Sequence, residues 1–274
     1  MASRIIIHCD LDAFFAAVET LHHNLDSSIP LILGSDPKGG KGRGIVSTCN
    51  YAARKYGIHS AMPIGEAWRR CPSPPHGPGN YLRSTRGLYS RASRKVMNIL
   101  SEHADKFEQA SIDEAYLDVT EYCEGDWDRA LALTRDLQTI IMAQLGLSSS
   151  FGIGPTRILA KMGSEENKPA GIHRTLPDEI VNFFEGRSVR EVPGIGPKTA
   201  QRLIVELKDK FTFTDHESIP SDSTYSKNQQ DAYNALLTLG YKSMDIQHKI
   251  QSIITLDPNI STEKLIKDCL KDLK

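Results

Sequence analysis

The sequence lacks the features that mark disulfide-rich, zinc-stapled and membrane-spanning proteins. Its cysteines are odd in number, and no two have the C-x-x-C spacing: they are Cys9, Cys49, Cys71, Cys123 and Cys269. A disulfide framework or a zinc site is therefore not expected, and we interpret the thiols as small apolar residues. No apolar run approaches the roughly 20 residues that span a bilayer. The early run Ile5–Ile7 is too short for a signal peptide, so we expect a cytosolic or nuclear protein without membrane contact.

The sequence also lacks an overall excess of basic charge, but its charges are segregated. The 33 Lys and Arg residues nearly balance the 34 Asp and Glu residues. Residues 38–95 contain 12 basic residues and one acid, Glu66, whereas residues 96–130 contain 10 acids against Lys106 and Arg129. A basic segment beside an acidic one suits a protein that grips phosphates and holds metal cations. An uneven solvated surface explains the same charges without any function.

The hydrophobic pattern predicts an α+β region followed by an all-helical region, and 274 residues suit two or three packed units. Strands are predicted at 4–9, 29–33, 45–48, 106–110, 114–119 and 148–153. Helices are predicted at 13–21, 50–56, 63–70, 85–104, 127–145 and 156–164, with a loop at 35–44 and a proline-rich linker at 71–80. This order suits an α+β sheet with helices on one face. Later helices are predicted at 178–184, 197–207, 228–239, 243–254 and 261–273.

Three acidic residues stand at predicted strand edges of one sheet. Asp10 ends the first strand, and the pair Asp113 and Glu114 lies between the two strands of a predicted hairpin. Carboxylates brought together repel each other unless a cation neutralises them. Magnesium prefers oxygen ligands and substrate phosphates, and two such ions about 3.5–4 Å apart stabilise both oxygens of a phosphoryl transfer. Taken singly, each acid is better explained as an isolated surface residue.

Several motifs follow one another in a fixed order. They are DLDAFFAAVE at 10–19, IVSTCNYAARKYG at 45–57, SIDEAYLD at 111–118, GIGPT at 152–156, LAK at 159–161, NKP at 167–169 and VPGIG at 192–196. From about Ile5 to Leu207, this series resembles Y-family translesion DNA polymerases of the bacterial polymerase IV type. The resemblance implies an α+β fold: a palm with a ferredoxin-like antiparallel sheet, small α/β fingers and a helical thumb with a helix-hairpin-helix. The implied domains are palm 1–10 and 81–174, fingers 11–80, thumb 175–225, and a C-terminal three-helix domain 226–274.

The resemblance also implies the site residues. The metal ligands would be Asp10, Asp113 and Glu114 with the carbonyl oxygen of Leu11, holding two Mg²⁺ ions, with Mn²⁺ as the alternative. Phe15 would be the steric gate, a ring that leaves no room for a ribose 2′-hydroxyl. The nucleotide-binding residues would be Phe14, Phe15, Thr48, Tyr51, Arg54, Ser111 and Lys168. Without the resemblance, Phe15 is explained as helix core, and Arg54 and Lys168 as solvated surface.

A glycine-rich turn opens the helix predicted at 197–207. Glycines expose backbone N–H groups and the helix start adds positive potential, so the segment Pro193–Ala200 predicts a phosphate-binding nest. It resembles a helix-hairpin-helix, which contacts the DNA backbone without reading bases. The implied DNA-binding residues are Gly194, Gly196, Lys198 and Thr199. A plain turn between two helices is the alternative.

The C-terminal segment departs from the family pattern. Y-family polymerases usually carry a β-rich little-finger domain after the thumb, whereas residues 226–274 resemble the three-helix C-terminal domain of the RuvA family. From Ser221 to Lys274 the seven Lys balance seven acids, so we do not expect a substitute DNA clamp. We expect a module that docks a protein partner or processivity factor; structural padding is the alternative. Fewer phosphate contacts predict weak, salt-sensitive DNA binding and distributive synthesis.

The resemblance implies a DNA-directed DNA polymerase that extends a primer on a template with deoxynucleoside triphosphates, at low fidelity, in DNA damage bypass. Its location would be the cytoplasm with the nucleoid, or the nucleus in a eukaryote. One rival function is a nucleotide cyclase-like palm enzyme, which would need neither the thumb nor the basic segment. The other is a non-catalytic DNA-binding or scaffold protein on a polymerase fold.

Overall fold

The structure, a computed structural model, describes residues 3–207, 226–239, 241, 243–257 and 260–272. It consists of two units, Met1–Ile180 and Val181–Lys274. The end of the expected thumb, residues 208–225, lies outside the described residues, as does the last residue of the helix predicted at 261–273. Within the described residues, no helix combines the length and apolarity needed to cross a membrane.

Two sheets organise the first unit. The described strands are β1 (Ile6–Leu11), β2 (Leu31–Gly34), β3 (Val46–Cys49), β4 (Asn80–Leu82), β5 (Lys106–Gln109), β6 (Glu114–Asp118), β7 (Ser149–Gly154) and β8 (Ile172–Arg174). The larger sheet has the order β5-β6-β1-β7-β8, and the smaller one the order β3-β2-β4. The four strands β5, β6, β1 and β7 are antiparallel, as the resemblance predicts. The short edge strands β4 and β8, which the sequence analysis did not predict, pair in parallel.

The helices account for most of the remaining chain. They are α1 (Phe14–His22), α2 (Tyr51–Arg54), α3 (Ile64–Arg70), α4 (Leu88–Ser101), α5 (Trp127–Leu145), α6 (Arg157–Glu166), α7 (Ile180–Phe184), α8 (Pro197–Leu207), α9 (Lys227–Thr238), α10 (Ser243–Leu256) and α11 (Thr262–Asp272). Local signals set their ends. The Asp126 carboxylate accepts hydrogen bonds from the N–H groups of Asp128 and Arg129 in the first turn of α5, and Gly146 ends that helix with a φ of 66°.

The main core lies between the larger sheet and the helices α4 and α5. Alternate residues of β1, Ile7, Cys9 and Leu11, pack there with Leu100 and Ile141 of the two helices. All six residues of β1 are buried, because the strand is central and both of its faces are covered. The five cysteines are buried as well, which agrees with their interpretation as small apolar residues.

Helix α6 covers the opposite face, so the prediction of helices on one face alone is wrong. The physical reason is Gly152 on β7, the cross-strand neighbour of His8. A Cβ atom at Gly152 would lie 1.9 Å from the carbonyl oxygen of Ala160 and 2.4 Å from the backbone nitrogen of Ser164. Only glycine allows the backbone of α6 to lie this close to the sheet. This contact places the polar residues of α6 above the even-numbered residues of β1.

The smaller sheet forms a second core with α2 and α3. Asn50 connects its parts, because its side chain accepts hydrogen bonds from Leu31 N at 3.0 Å and Ala53 N at 2.9 Å. Strand β4 extends this sheet to Leu82, beyond the end of the predicted linker. The segment 71–80 therefore leads into a strand of the sheet.

In the second unit, the helix-hairpin-helix segment and the C-terminal helices share one core. Ala200 of α8 belongs to the same buried cluster as Leu236 of α9, and the half-buried Ile195 packs against that cluster. The Ser188 hydroxyl donates to the carbonyl oxygen of Leu239 at 2.9 Å. The segments predicted as thumb and C-terminal domain therefore both contribute to one hydrophobic cluster.

Candidate active site

Asp10 and Glu114 are direct cross-strand neighbours. Strands β1 and β6 are antiparallel, and their register places Asp10 opposite Glu114 at the end of the ladder. The backbone N–H of Leu11 donates to the carbonyl oxygen of Asp113 at 3.0 Å, so the hairpin is tied to β1 at this point. Two segments that are distant in sequence therefore carry the three predicted acids to one edge of the sheet.

Ser111 fixes the turn that carries Asp113. Its hydroxyl donates to the Asp113 carboxylate at 2.6 Å and accepts from the N–H groups of Asp113 at 3.2 Å and Glu114 at 3.0 Å. A hydroxyl that donates once and accepts twice uses its full hydrogen-bonding capacity. Ser111 was predicted to bind nucleotide, and the structure places it as the organiser of the hairpin turn.

Two lysines neutralise the paired acids. Lys168 Nζ lies 2.8 Å from Asp10 Oδ1 and 2.8 Å from Glu165 Oε1, and Lys161 Nζ lies 2.5 Å from Glu114 Oε2. Burial raises the pKa of Asp10 to about 6, although the Lys168 ammonium opposes that rise. The His8 ring, whose Nε2 lies 3.5 Å from Glu114 Oε2, and the Lys161 ammonium hold the pKa of Glu114 at about 2.

His8 connects α6 to Glu114 from within the core. Its ring is fully buried, with Nδ1 at 2.8 Å from the Ser164 hydroxyl and Nε2 at 3.5 Å from Glu114 Oε2. Burial lowers the pKa of His8, so the ring is held in its neutral form. Sequence reasoning assigned no role to His8, Lys161 or Glu165. The i, i+4 spacing of Lys161 and Glu165 on α6 was the available signal.

The donor set fits hard divalent cations, although the acids do not form a ready-made cluster. Among the described residues, no three His, Cys, Asp or Glu side chains come together as a metal-ligand group. The ligands expected from the resemblance are oxygen atoms, the type that Mg²⁺ and Mn²⁺ prefer. Asp10 and Glu114 each already hold a cationic ammonium group. Positive charge therefore stabilises these two acids, and the ammonium groups of Lys161 and Lys168 supply it.

Asp12 is a structural anchor that the sequence analysis missed. Its carboxylate is 4% exposed and accepts from the hydroxyls of Ser148 at 2.6 Å and Ser150 at 2.8 Å, and from Ala170 N at 2.8 Å. The chain then turns into α1 through Ala13, whose φ of 45° is unusual for a residue other than glycine. Asp12 thus joins the start of α1 to β7 and to the loop that follows α6.

The two phenylalanines of the first motif occupy different environments. Phe14 is 2% exposed and belongs to the main core, whereas Phe15 is half-buried. The Phe15 ring lies 4.6 Å from the Tyr89 ring in an edge-on arrangement. Of the two, Phe15 has the accessible ring that a steric gate requires. Phe14 lies in the core, where it contacts Phe15 at 5.4 Å between ring centres.

Tyr51 and Arg54 of α2 lie next to the start of α1. The Tyr51 hydroxyl lies 3.5 Å from Asp12 Oδ1, and the exposed Arg54 guanidinium stacks 4.5 Å from the Tyr51 ring centre. Burial raises the pKa of Tyr51, and the charges of Asp12 and Asp10 contribute in the same direction. Thr48 is half-buried on β3, three residues before the start of α2. These positions suit contacts to phosphates near Lys168.

The predicted DNA-binding residues lie in the second unit: Gly194 and Gly196 are on the turn before α8, and Lys198 and Thr199 are in its first turn. Gly194 has a φ of 85°, which favours glycine, and a Cβ atom at Gly194 or Gly196 would meet nothing within 4 Å. Gly194, Gly196, Lys198 and Thr199 are all exposed. The turn therefore leaves its backbone open to a ligand at the start of the helix.

Three family models match the chain in order. The impB/mucB/samB family matches residues 9–165, the SAM-like helix-hairpin-helix tandem matches residues 170–209, and the RuvA C-terminal domain matches residues 227–274. The last two matches confirm the resemblances seen in the thumb and in the C-terminal segment.

Curated relatives and solved structures agree with the first match. The chain is similar to DNA polymerase IV of Methanoculleus marisnigri, with 43% identity over 73% of the chain and 54% of the relative. It is 42% identical to DNA polymerase IV of Listeria monocytogenes, over 73% of the chain and 54% of the relative. The chain thus spans about half the length of these curated relatives.

Among solved structures, the chain is similar to DinB from Sulfolobus solfataricus, with a TM-score of 0.64 and 36% identity over 74% of this chain and 57% of that one. It is also similar to the insertion ternary complex of Dbh DNA polymerase, with a TM-score of 0.66 and 32% identity over 89% of this chain and 66% of that one. Since the family model covers more than half of the chain and these structures share its fold, the chain belongs to the impB/mucB/samB family of Y-family DNA polymerases.

Proposed function

We propose that the chain is a template-directed DNA polymerase of low fidelity that extends a primer across damaged DNA. The observation that carries this proposal is the pairing of Asp10 with Glu114 across β1 and β6, with Asp113 on the adjoining turn. Two lysines already supply positive charge at these acids. Such an arrangement suits phosphoryl transfer, where positioning and charge stabilisation account for most of the rate.

Y-family polymerases use divalent metal ions, and we assign two Mg²⁺ ions, with Mn²⁺ as the alternative, to Asp10, Asp113, Glu114 and the Leu11 carbonyl. When bound, such ions lower the pKa of the primer hydroxyl and neutralise charge on the transferred phosphate. Ser111 holds the Asp113 carboxylate in one orientation through its 2.6 Å hydrogen bond. Lys161 and His8 do the same for Glu114, so two of the ligands are oriented before any substrate arrives.

The remaining residues hold the nucleotide. We assign phosphate binding to Lys168, Arg54, Tyr51 and Thr48, whose cationic and hydroxyl groups suit phosphate oxygens. The Lys168 ammonium, 2.8 Å from Asp10 Oδ1, would bind the triphosphate beside the assigned metal ligands. We assign Phe15 as the steric gate, because its ring is half-buried and available to the sugar. Phe14 supports that ring from the core.

The second unit would supply DNA contacts and a partner site. The exposed turn of Gly194 and Gly196, followed by Lys198 and Thr199, suits backbone phosphates of the primer-template. The three helices α9 to α11 match a family domain of their own and would dock a protein partner or processivity factor. An enzyme with these substrates would work where DNA is, with the nucleoid or in the nucleus.

Primer extension with Mg²⁺ and the four deoxynucleoside triphosphates tests the proposal. We expect the chain to add nucleotides to a primer paired with a template, and Asp113→Ala to abolish addition while DNA binding, measured by fluorescence anisotropy, is retained. Asp26→Ala is the matched control, since its exposed carboxylate accepts a local bond from Ser28 N at 2.8 Å.

Each rival function has its own outcome in the same assay. Conversion of triphosphates without primer-template would favour a cyclase-like enzyme over a polymerase. DNA binding without incorporation at any concentration of Mg²⁺ or Mn²⁺ would favour a scaffold protein. Equal activity of Asp113→Ala and the unsubstituted chain would refute the assignment of the acids.

A further inference from the structure

A buried carboxylate lies one helical turn beyond Phe15. Glu19 of α1 is 0% exposed, and its oxygens accept from Thr85 N at 2.6 Å, from the Thr85 hydroxyl at 3.0 Å and from the Tyr89 hydroxyl. His23 Nε2 lies 3.1 Å from the same carboxylate. Four polar groups thus meet on one side chain: one from His23, just after α1, two from Thr85, just before α4, and one from Tyr89 in the first turn of α4.

Tyr89 connects this carboxylate to the proposed gate. Its hydroxyl donates to Glu19, while its ring meets the Phe15 ring edge-on at 4.6 Å between centres. Tyr89 is 9% exposed, so its ring has little freedom to move. The hydrogen bond fixes the far end of the tyrosine, and the near face sets where the Phe15 ring can lie.

Packing of α1 on α4 does not by itself require a charge at position 19. An ionised carboxylate inside a protein is costly unless several donors satisfy it, and an apolar side chain of similar size would fill the same space. Burial tends to raise the pKa of Glu19, but the hydrogen bonds from Tyr89 and Thr85 hold it below its usual value. The group is therefore ionised and accepts short, directional bonds that leave Tyr89 one orientation.

We propose that Glu19 and Tyr89 are positioning residues that set the enzyme's selectivity for the sugar of the incoming nucleotide. By holding the Tyr89 ring, Glu19 keeps the Phe15 ring against the sugar of the incoming nucleotide. The ring then leaves no room for a 2′-hydroxyl, so that a ribonucleotide is rejected. The inference rests on the proposed polymerase function and on Phe15 as the gate. It adds two residues that do not touch the nucleotide but decide how firmly the gate is held.

The test compares the incorporation of one deoxynucleotide with that of the matching ribonucleotide. The measured quantity is the ratio of the two kcat/KM values, because a general loss of folded enzyme lowers both and leaves their ratio unchanged. For Tyr89→Phe, which keeps the ring and removes the hydroxyl, we expect the ratio to fall between about 3- and 10-fold. For Glu19→Gln, we expect a fall in the same direction.

Tyr81→Phe is the matched control. The Tyr81 hydroxyl also makes one hydrogen bond within the protein, to the carbonyl oxygen of Cys71 at 2.9 Å, but it belongs to the smaller sheet. We expect this variant to keep the ratio of the unsubstituted chain. Phe15→Leu tests the gate itself and should lower the ratio more than Tyr89→Phe does.

The possible outcomes test the positioning role separately from the gate and from the polymerase function. An unchanged ratio in both Tyr89→Phe and Glu19→Gln, with a large fall in Phe15→Leu, would overturn the positioning role and leave the gate and the polymerase intact. An equal fall in Tyr81→Phe would also overturn it, because the effect would then follow any lost tyrosine hydroxyl. An unchanged ratio in Phe15→Leu would overturn the gate. No incorporation by the unsubstituted chain would overturn the proposed function, and the selectivity role with it.

Discussion

Replacing Asp12 should lower the urea concentration at which the unit of residues 1–180 unfolds, by an amount set by how many donors lose their acceptor. In the native protein, the Asp12 carboxylate accepts from Ser148, Ser150 and Ala170 N, all within 2.8 Å. A hydrogen bond to a charged group contributes about 1.5–3 kcal/mol. Because entering water and hydroxyl rotation recover part of the loss, we expect Asp12→Ala to cost about 3–5 kcal/mol.

Asp12→Asn should destabilise the protein far less than Asp12→Ala, and the difference between the two substitutions is the more specific test. Ser148 and Ala170 N donate to one carboxylate oxygen, whereas Ser150 donates to the other. An asparagine can keep its carbonyl oxygen toward Ser148 and Ala170 N and donate its amide to the Ser150 hydroxyl, which can accept. Only the charge assistance is lost, so the expected cost is about 1 kcal/mol.

Urea unfolding followed by tryptophan fluorescence measures these losses of stability in the unit that contains Asp12. The two tryptophans, Trp68 and Trp127, both lie in the unit of residues 1–180, so the signal reports that unit. Asp26→Ala, an exposed acid with a local bond, is the control and should cost no more than about 0.5 kcal/mol. Either of two results would contradict the anchoring role of Asp12. One is a free energy of unfolding for Asp12→Ala within about 1 kcal/mol of that of the unsubstituted chain; the other is an equal loss of stability in Asp12→Asn and Asp12→Ala.

Three further predictions follow from the same geometry. Gly152→Ala should abolish incorporation and cost more than about 3 kcal/mol in urea unfolding, because the new methyl meets the backbone of α6; near-native stability would contradict this. The pKa of Glu114 is about 2, below its ordinary 4.5, so the stability from its ionised contacts is complete above pH 4.5 and is lost as the pH falls towards 2. Glu114→Gln should therefore be less stable than the unsubstituted chain by about 2 kcal/mol at pH 7, and the difference should shrink between pH 4.5 and 2; a difference that is constant with pH would refute the assignment. Primer extension by this chain alone with a DNA trap should give short products per binding event and weaken steeply with salt, whereas long products would show that DNA is held firmly.

Much of the fold was predictable because periodicity and turn residues act locally. The apolar first strand, the helical pattern of α4 and α5, and the hairpin around Ser111–Asp113 are all confirmed. The edge strands β4 and β8 were missed because each has three residues, too few for a period to show. The second helical layer was missed because the closeness of α6 to the sheet depends on Gly152, and a glycine's neighbours cannot be read from local sequence.

The residue types of the candidate site could be read from the sequence, but the partners of those residues could not. The motifs identified Asp10, Asp113 and Glu114 from residue type and order, and the resemblance supplied their expected roles. They did not indicate that Lys161 and Lys168 neutralise those acids, nor that Asp12, which looks like a further ligand in the motif, is fully occupied as an anchor. Such pairings join residues that lie far apart in the chain, so only the packed fold can specify them.

By itself, the sequence determined the element types, the family and the identity of the acids, because these depend on residue type, spacing and order. The tertiary structure alone decided which partner each charged group has, since partners are chosen by the close approach of distant segments. The buried Glu19 shows the difference most directly: its place in a helix follows from the sequence, whereas its bonds to Thr85 and Tyr89 exist only because α1 packs against the start of α4.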